Sequence, residues 1–371
     1  MASRQSPPAP VITEHPRDFS GDVGANFELS ANASGVPTTM IEWQKKDTAT
    51  GAFVNIGKVG GKLTFASAKS EDSGVYRARA YNVAGEAFTA EATVKLAEIK
   101  YSFVTQVVAG NAGYWHGGTS NVNPSKATCP AGWALVGGGY AFTGNYSCSF
   151  DRQFVRESRP DSETTKSWNT WLAALECSSF YAYAICARLQ PLGAGQPIAP
   201  EVKVEDGSSP LGPTSAGVWS STSTCPSGYF LSGGGHRYVS SEVSNYSIWR
   251  MILASQPTSN SSSTWETHSI DFTQKATALC VKLPPEVKAQ NLARKVVTGE
   301  TVGNQGKSIA QCPNGYSLTG AGHDTSSNDG CAEDLQFSKL TYPRTDNHSV
   351  EVVKDCAKFS AKAICLAVVD K

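Results

Sequence analysis

Cys129-Pro130-Ala131-Gly132-Trp133-Ala134-Leu135-Val136-Gly137-Gly138-Gly139-Tyr140 decides the fold, because the chain repeats it twice. It returns as Cys225-Pro226-Ser227-Gly228-Tyr229-Phe230-Leu231-Ser232-Gly233-Gly234-Gly235-His236. The third form is Cys312-Pro313-Asn314-Gly315-Tyr316-Ser317-Leu318-Thr319-Gly320-Ala321-Gly322-His323. Each copy closes on Ala-x-Ala-[Ile/Leu]-Cys, at Ala182 to Cys186, Ala276 to Cys280 and Ala361 to Cys365. Matches in register three times over define an internal repeat. Cys-Pro-x-Gly is a turn entry, with Pro fixing φ and Gly free to take φ > 0. The aromatic and the Leu, two apart, face one side of a strand. The glycine run then allows a bulge or a close backbone crossing. It does not read as a phosphate cradle, since the P-loop spacing is absent and no helical pattern follows.

The ten cysteines extend the repeat. Copy one holds Cys129, Cys148, Cys177 and Cys186, and copy three holds Cys312, Cys331, Cys356 and Cys365. In both, the first step is 19 residues and the last is 9. Copy two keeps only the outer pair, Cys225 and Cys280. Four cysteines allow three connectivities, and only the nested one lets a copy lose its inner pair without stranding a partner. The expected outer bridges are Cys129–Cys186, Cys225–Cys280 and Cys312–Cys365. The expected inner bridges are Cys148–Cys177 and Cys331–Cys356. No Cys-x₂₋₄-Cys knuckle supports zinc. His236 and His323 share a position that Tyr140 fills in copy one, so a packed ring explains it better than a metal ligand. No metal or cofactor is expected.

Length and composition set the surroundings of this repeat. At 371 residues the chain accommodates several domains. Charged residues make up only 17%, and the formal net charge is zero, which offers no field for nucleic acid or an anionic membrane. Abundant Gly, Ser, Thr and Asn suit short strands and turns. No apolar run approaches the roughly 20 residues of a membrane-spanning helix, so membrane insertion is not expected. The first ten residues, MASRQSPPAP, lack the apolar core of a secretory signal. Synthesis in a cytoplasm is the resulting expectation. Many cysteines with no export signal would fit a virion protein that meets oxidant after host lysis.

Between residues 11 and 98 the pattern changes. Ile41-Glu42-Trp43 is followed by Lys62-Leu63-Thr64-Phe65, then by Glu71-Asp72-Ser73-Gly74-Val75-Tyr76 and Ala80-Tyr81-Asn82. A strand-C Trp with a later Asp-x-Gly-x-Tyr resembles an intermediate-set immunoglobulin domain. The resemblance implies that Trp43 fills the space between two sheets and that Tyr76 closes a tyrosine corner. It also implies that Ala31 and Ala78 stand where the inter-sheet cysteines would be, leaving packing alone to hold the sandwich. From residue 100 onward the repeats resemble Cys-Pro-x-Gly…Gly-Gly-Gly modules of bacterial and phage surface adhesins.

The expected fold class is therefore all-β, an immunoglobulin-like sandwich followed by three small disulfide-braced β modules. The expected boundaries are an arm at 1–10, the sandwich at 11–98, and repeats at 99–192, 193–288 (with a linker) and 289–371. Together the resemblances imply a non-enzymatic structural and display protein on a tailed-phage particle. A head decoration protein is the first reading, and a tail or fibre protein gripping a host surface glycan is the alternative. The expected partners are other virion proteins, the capsid shell first among them, and host surface glycans. The arm Met1–Pro10 would anchor by adding to a partner's sheet edge, with Pro7, Pro8 and Pro10 limiting the entropy lost. Trp168, Trp171, Trp249 and Trp265 are candidates for sugar stacking or an interface, with core packing as the competing role. Asp151, Glu157, Asp161 and Glu163 are the carboxylates from which a glycan-cleaving pair could be drawn, against a solvated loop face.

Overall fold

The computed structural model describes residues 8–115, 122–146, 155–161, 170–175, 178–193, 195–208, 217–240, 251–259, 263–270, 272–303, 306–327, 338–354 and 357–371. The chain forms two compact units. One comprises Met1–Lys100 with Leu192–Gly195, and the other Tyr101–Pro191 with Gln196–Lys371. Apart from one 3₁₀ turn at Ser70–Asp72, the regular structure of the described residues is all strand.

The first unit is a sandwich built from β1 (Val11–Glu14), β2 (Phe19–Asp22), β3 (Phe27–Ser30), β4 (Asn32–Ser34) and β5 (Met40–Lys46). Its later strands are β6 (Phe53–Val59), β7 (Lys62–Phe65), β8 (Gly74–Asn82), β9 (Gly85–Phe88) and β10 (Ala92–Ala97). One sheet runs β2-β10-β8-β5-β6 with β9 also on β8; the β1-β4 and β3-β7 pairs complete the fold. Alternation along β8 puts Tyr76, Ala78 and Ala80 inside. Tyr76 and Ala78 meet Trp43, Leu29 and Leu63 in one core. Trp43 is fully buried and its indole N–H donates to the Gly60 carbonyl at 3.0 Å. The Tyr76 hydroxyl donates to the Asp72 carbonyl at 2.8 Å, closing the corner, and burial pushes its pKa up to about 12. Ala31 and Ala78 are both core residues. A ladder of rings, Phe19–Phe27 at 3.8 Å and Phe27–Phe65 at 4.5 Å, adds apolar area where a bridge is missing.

In the second unit copy one supplies β11 (Tyr101–Trp115), β12 (Val122–Asn123), β13 (Ser125–Thr128), β14 (Ala134–Tyr146), β15 (Val155–Pro160), β16 (Thr170–Leu175) and β17 (Ser178–Pro191). Copy two supplies β18 (Glu201–Asp206), β19 (Val218–Thr224), β20 (Phe230–Ser240), β21 (Met251–Pro257), β22 (Thr264–Ile270) and β23 (Thr273–Lys282). Copy three supplies β24 (Gln290–Thr298), β25 (Lys307–Gln311), β26 (Ser317–Ser327), β27 (Ser338–Pro343), β28 (Ser349–Lys354) and β29 (Lys358–Asp370).

The strands do not pair copy by copy. The three sheets run β12-β11-β17-β14-β27-β28-β25, β13-β16-β15-β20-β23-β18 and β19-β22-β21-β26-β29-β24. Every sheet joins the disulfide-bearing half of one copy to the hairpin half of another. Copy one gives its hairpin half to copy two, copy two to copy three, and copy three back to copy one. The seams are short ladders: Tyr140↔Thr341 and Ala141↔Leu340, Glu157↔Arg237 and Ser158↔His236, and Ser255↔His323.

The boundaries at 192 and 288 thus divide the sequence repeat, while the sheets cross them. The physical reason is size, since a chain of about 90 residues buries a small core alone. Exchange gives each wall at least six strands and a shared interior. Bridges join Cys129 to Cys186, Cys225 to Cys280 and Cys312 to Cys365, with Cα atoms 5.5 to 5.7 Å apart. Cys148, Cys177, Cys331 and Cys356 lie outside the described residues.

Candidate functional site

The repeated motif builds the junction where the three walls meet. In each copy the turn glycine takes positive φ, 79° at Gly132, 82° at Gly228 and 81° at Gly315. The aromatic N–H after it donates back to the Pro carbonyl at 3.1 Å in all three. Register then slips between Leu135 and Gly137, Leu231 and Gly233, and Leu318 and Gly320. The bulged residues are Val136, Ser232 and Thr319, and their carbonyls lie against a glycine of another copy. A Cβ on Gly137 would fall 2.0 Å from the Thr319 oxygen, one on Gly233 2.7 Å from Val136, and one on Gly320 2.5 Å from Ser232. Side chains are excluded where the three backbones cross.

The middle position of the glycine run explains the tryptophans. Ring atoms of Trp171 and Trp265 sit where the Cβ atoms of Gly138 and Gly234 would be, at 2.2 and 2.3 Å. Trp171 opposes Pro160 and Trp265 opposes Pro257; in copy three Val350 opposes Pro343 at the same place. There the smaller Val is matched by Ala321 in place of glycine. Trp171 and Trp265 are buried, and their indole N–H groups donate to the Ser158 and Ser255 hydroxyls at 3.2 and 3.1 Å. They are core residues, which corrects the stacking role considered for them. Trp168 and Trp249 lie outside the described residues.

Three serines, unremarked in the sequence, tie each hairpin half to its own copy. The Ser125, Ser221 and Ser308 hydroxyls accept from the first Ala N–H of the closing motif, Ala182, Ala276 and Ala361, at 2.7 to 2.9 Å. Each donates to a carbonyl, of Asn111, Ser208 and Glu300 respectively. No apolar alternation in the sequence marks them, since in β25 Ser308 is buried while the apolar Ile309 beside it is exposed.

Of the carboxylates, Glu157 pairs with Arg159 at 2.8 Å and Asp161 with Lys126 at 2.7 Å. Asp151 and Glu163 lie outside the described residues. At the axis, Tyr140, His236 and His323 occupy equivalent places opposite Thr341, Ser158 and Ser255. Burial holds the His236 pKa down, to about 4, against a weak opposing backbone contact from Val155. His323 is held well below the usual range by burial first, then by electrostatic opposition from Lys354 and from the neighbouring His236 ring, against a backbone contact from Ile252. Lys354 is itself buried, which lowers its pKa to about 7; it donates to the Leu253 carbonyl at 3.2 Å and to the Thr325 hydroxyl. Among the described residues no group of three His, Cys, Asp or Glu side chains could hold a metal.

Residues 10–96 match the family model of the immunoglobulin I-set domain. Human hemicentin-1 is 39% identical over 88 residues, 23% of this chain and 2% of that protein. Mouse protein turtle homolog B is 34% identical over 79 residues, 21% of this chain and 6% of that protein. The chain thus spans a few per cent of these relatives. Among solved structures, a complex of titin M10 with an obscurin-like 1 immunoglobulin domain is 29% identical, covering 24% of this chain and 95% of that one, with a TM-score of 0.21. An immunoglobulin I-set domain therefore occupies the first unit of an all-β chain.

Proposed function

We propose that this chain is a non-enzymatic display and adhesion protein. The observation that carries the reading is a constant frame around variable segments. From the axial ring to the axial hydroxyl the copies keep 18, 19 and 18 residues, yet between them Ala141–Phe154, Arg237–Arg250 and Asp324–Phe337 share little. A nearly constant length with free sequence on a bridged scaffold suits segments that carry recognition. Trp249 lies in such a segment, and with Trp168, which follows the axial hydroxyl of copy one, it keeps its candidacy for a glycan or protein partner.

A phage particle is the setting we infer, with head decoration ahead of a tail or fibre role against host glycans. It rests on the bridge-free sandwich, which needs no oxidant to fold, joined to a repeat unit braced by disulfides. Binding of the purified chain to capsids lacking it, compared with binding to host cells, tests the assignment. Saturable binding to capsids supports decoration; binding only to cells moves the protein to the tail, and binding to neither removes the particle. Deleting residues 1–10 should abolish capsid occupancy if the arm is the anchor.

A further inference from the structure

Where the three walls meet there is a small void with room for about one water. Around it stand Tyr140, His236 and His323, with the hydroxyl residues Ser158, Ser255 and Thr341. Both imidazoles are 1% exposed. At hydrogen-bonding distance neither nitrogen of His236, nor Nε2 of His323, has a partner among the described residues; beyond that distance the backbone of Val155 faces the His236 ring and that of Ile252 the His323 ring. Nδ1 of His323 shares a hydrogen bond with the Thr341 hydroxyl at 2.9 Å. The two serine hydroxyls accept the N–H groups of Trp171 and Trp265. Three ring nitrogens of two copies are thus removed from bulk water around one polar void, and buried polar groups in folded proteins are rarely left so.

We propose that this void is a binding site for a single water molecule, which bridges His236 of copy two to His323 of copy three. Water fits the chemistry better than a cation. Each neutral imidazole offers one donor and one acceptor, and water can accept from one ring while donating to the other. A bound cation would use only the lone pairs. It would also lie near Lys354, whose charge already opposes a proton on His323. Among the described residues no carboxylate lines the void to offset it. The low pKa values of both rings agree, since each stays neutral at pH 7. The bridge acts as a polar keystone: copy one has Tyr140 at this position, so the paired imidazoles mark the meeting of copies two and three.

A high-resolution crystal structure of the full chain, with anomalous data at the zinc edge and elemental analysis, tests this. The expected result is one peak at about 2.7–3.2 Å from a His236 nitrogen and from Nε2 of His323, without anomalous signal or stoichiometric metal. A metal peak, or no density in the void, would overturn it. A double-mutant cycle reads the coupling. His236→Phe and His323→Phe should each lower the unfolding midpoint, and the double variant should fall no further than the worse single one. Additive losses would count against a shared bridge.

Discussion

At Gly138 the absence of one carbon is worth the position of an indole. Gly138→Ala would put a methyl 2.2 Å from the Trp171 ring and 2.4 Å from the Tyr183 carbonyl, both fixed by their neighbours. Overpacking of this kind should cost about 1–3 kcal/mol or more, measurable by denaturant unfolding. In copy three the logic reverses: Val350→Trp should be tolerated only together with Ala321→Gly, and equal stability of the single and double variants would refute the pairing. The axial imidazoles give a pH dependence whose sign follows from their lowered pKa. An unfolded His titrates near 6.5, while folded His236 is held to about 4. The folded state resists the proton, so this stability is complete above about pH 6.5 and is lost as pH falls toward 4. His236 alone should account for about 3 kcal/mol. The I-set domain expressed alone contains neither residue and serves as the control in the same acid titration.

At the level of strands and bridges, the sequence was legible wherever a local rule applied. Cys-Pro-x-Gly announced its turn, the leucine two residues beyond the aromatic announced a strand, and Asp-x-Gly-x-Tyr announced the tyrosine corner. The glycine run left two readings, a bulge or a close crossing, and the structure contains both at once. What could not be read was which copy a hairpin joins. The three hairpin halves share one alternation, so β15, β21 and β27 carry equivalent faces, and choosing between them is a matter of chain path. Trp171 and Trp265 were ambiguous for a related reason, because their receiving glycines lie in another strand. The bridges have an element-scale consequence. Opening the 55-residue loop of copy two, by Cys225→Ser with Cys280→Ser, should cost the repeat unit about 4 kcal/mol in the chain-entropy model. Residues 11–98 alone should instead melt at one temperature with or without dithiothreitol. Calorimetry of the two species separates them, and a reductant-sensitive sandwich would contradict the role given to Trp43 and the phenylalanine ladder.

On the scale of the whole repeat unit, cyclic exchange makes copy three a structural partner of both others. Its hairpin half, through β27, is the neighbour of β14 in copy one, and its β26 is the neighbour of β21 in copy two. Removing residues 289–371 would therefore open two of the three seams and expose the crossing backbones around Gly137 and Gly233. The seam that remains, between β15 and β20, has two paired positions. It would have to hold two half-walls with no common interior, and the conformational entropy of ordering both copies would then outweigh the burial left to them. A chain ending at residue 288 is accordingly expected to keep the unfolding transition of the immunoglobulin domain and to lose that of the repeats. The repeats should also become sensitive to protease under native conditions. Three self-sufficient modules would behave otherwise: copies one and two would keep their cooperative transitions and their protection, and only the contribution of copy three would vanish. Calorimetry with limited proteolysis of the truncated and full chains distinguishes the outcomes, and retained cooperativity in copies one and two would refute the interlocked arrangement.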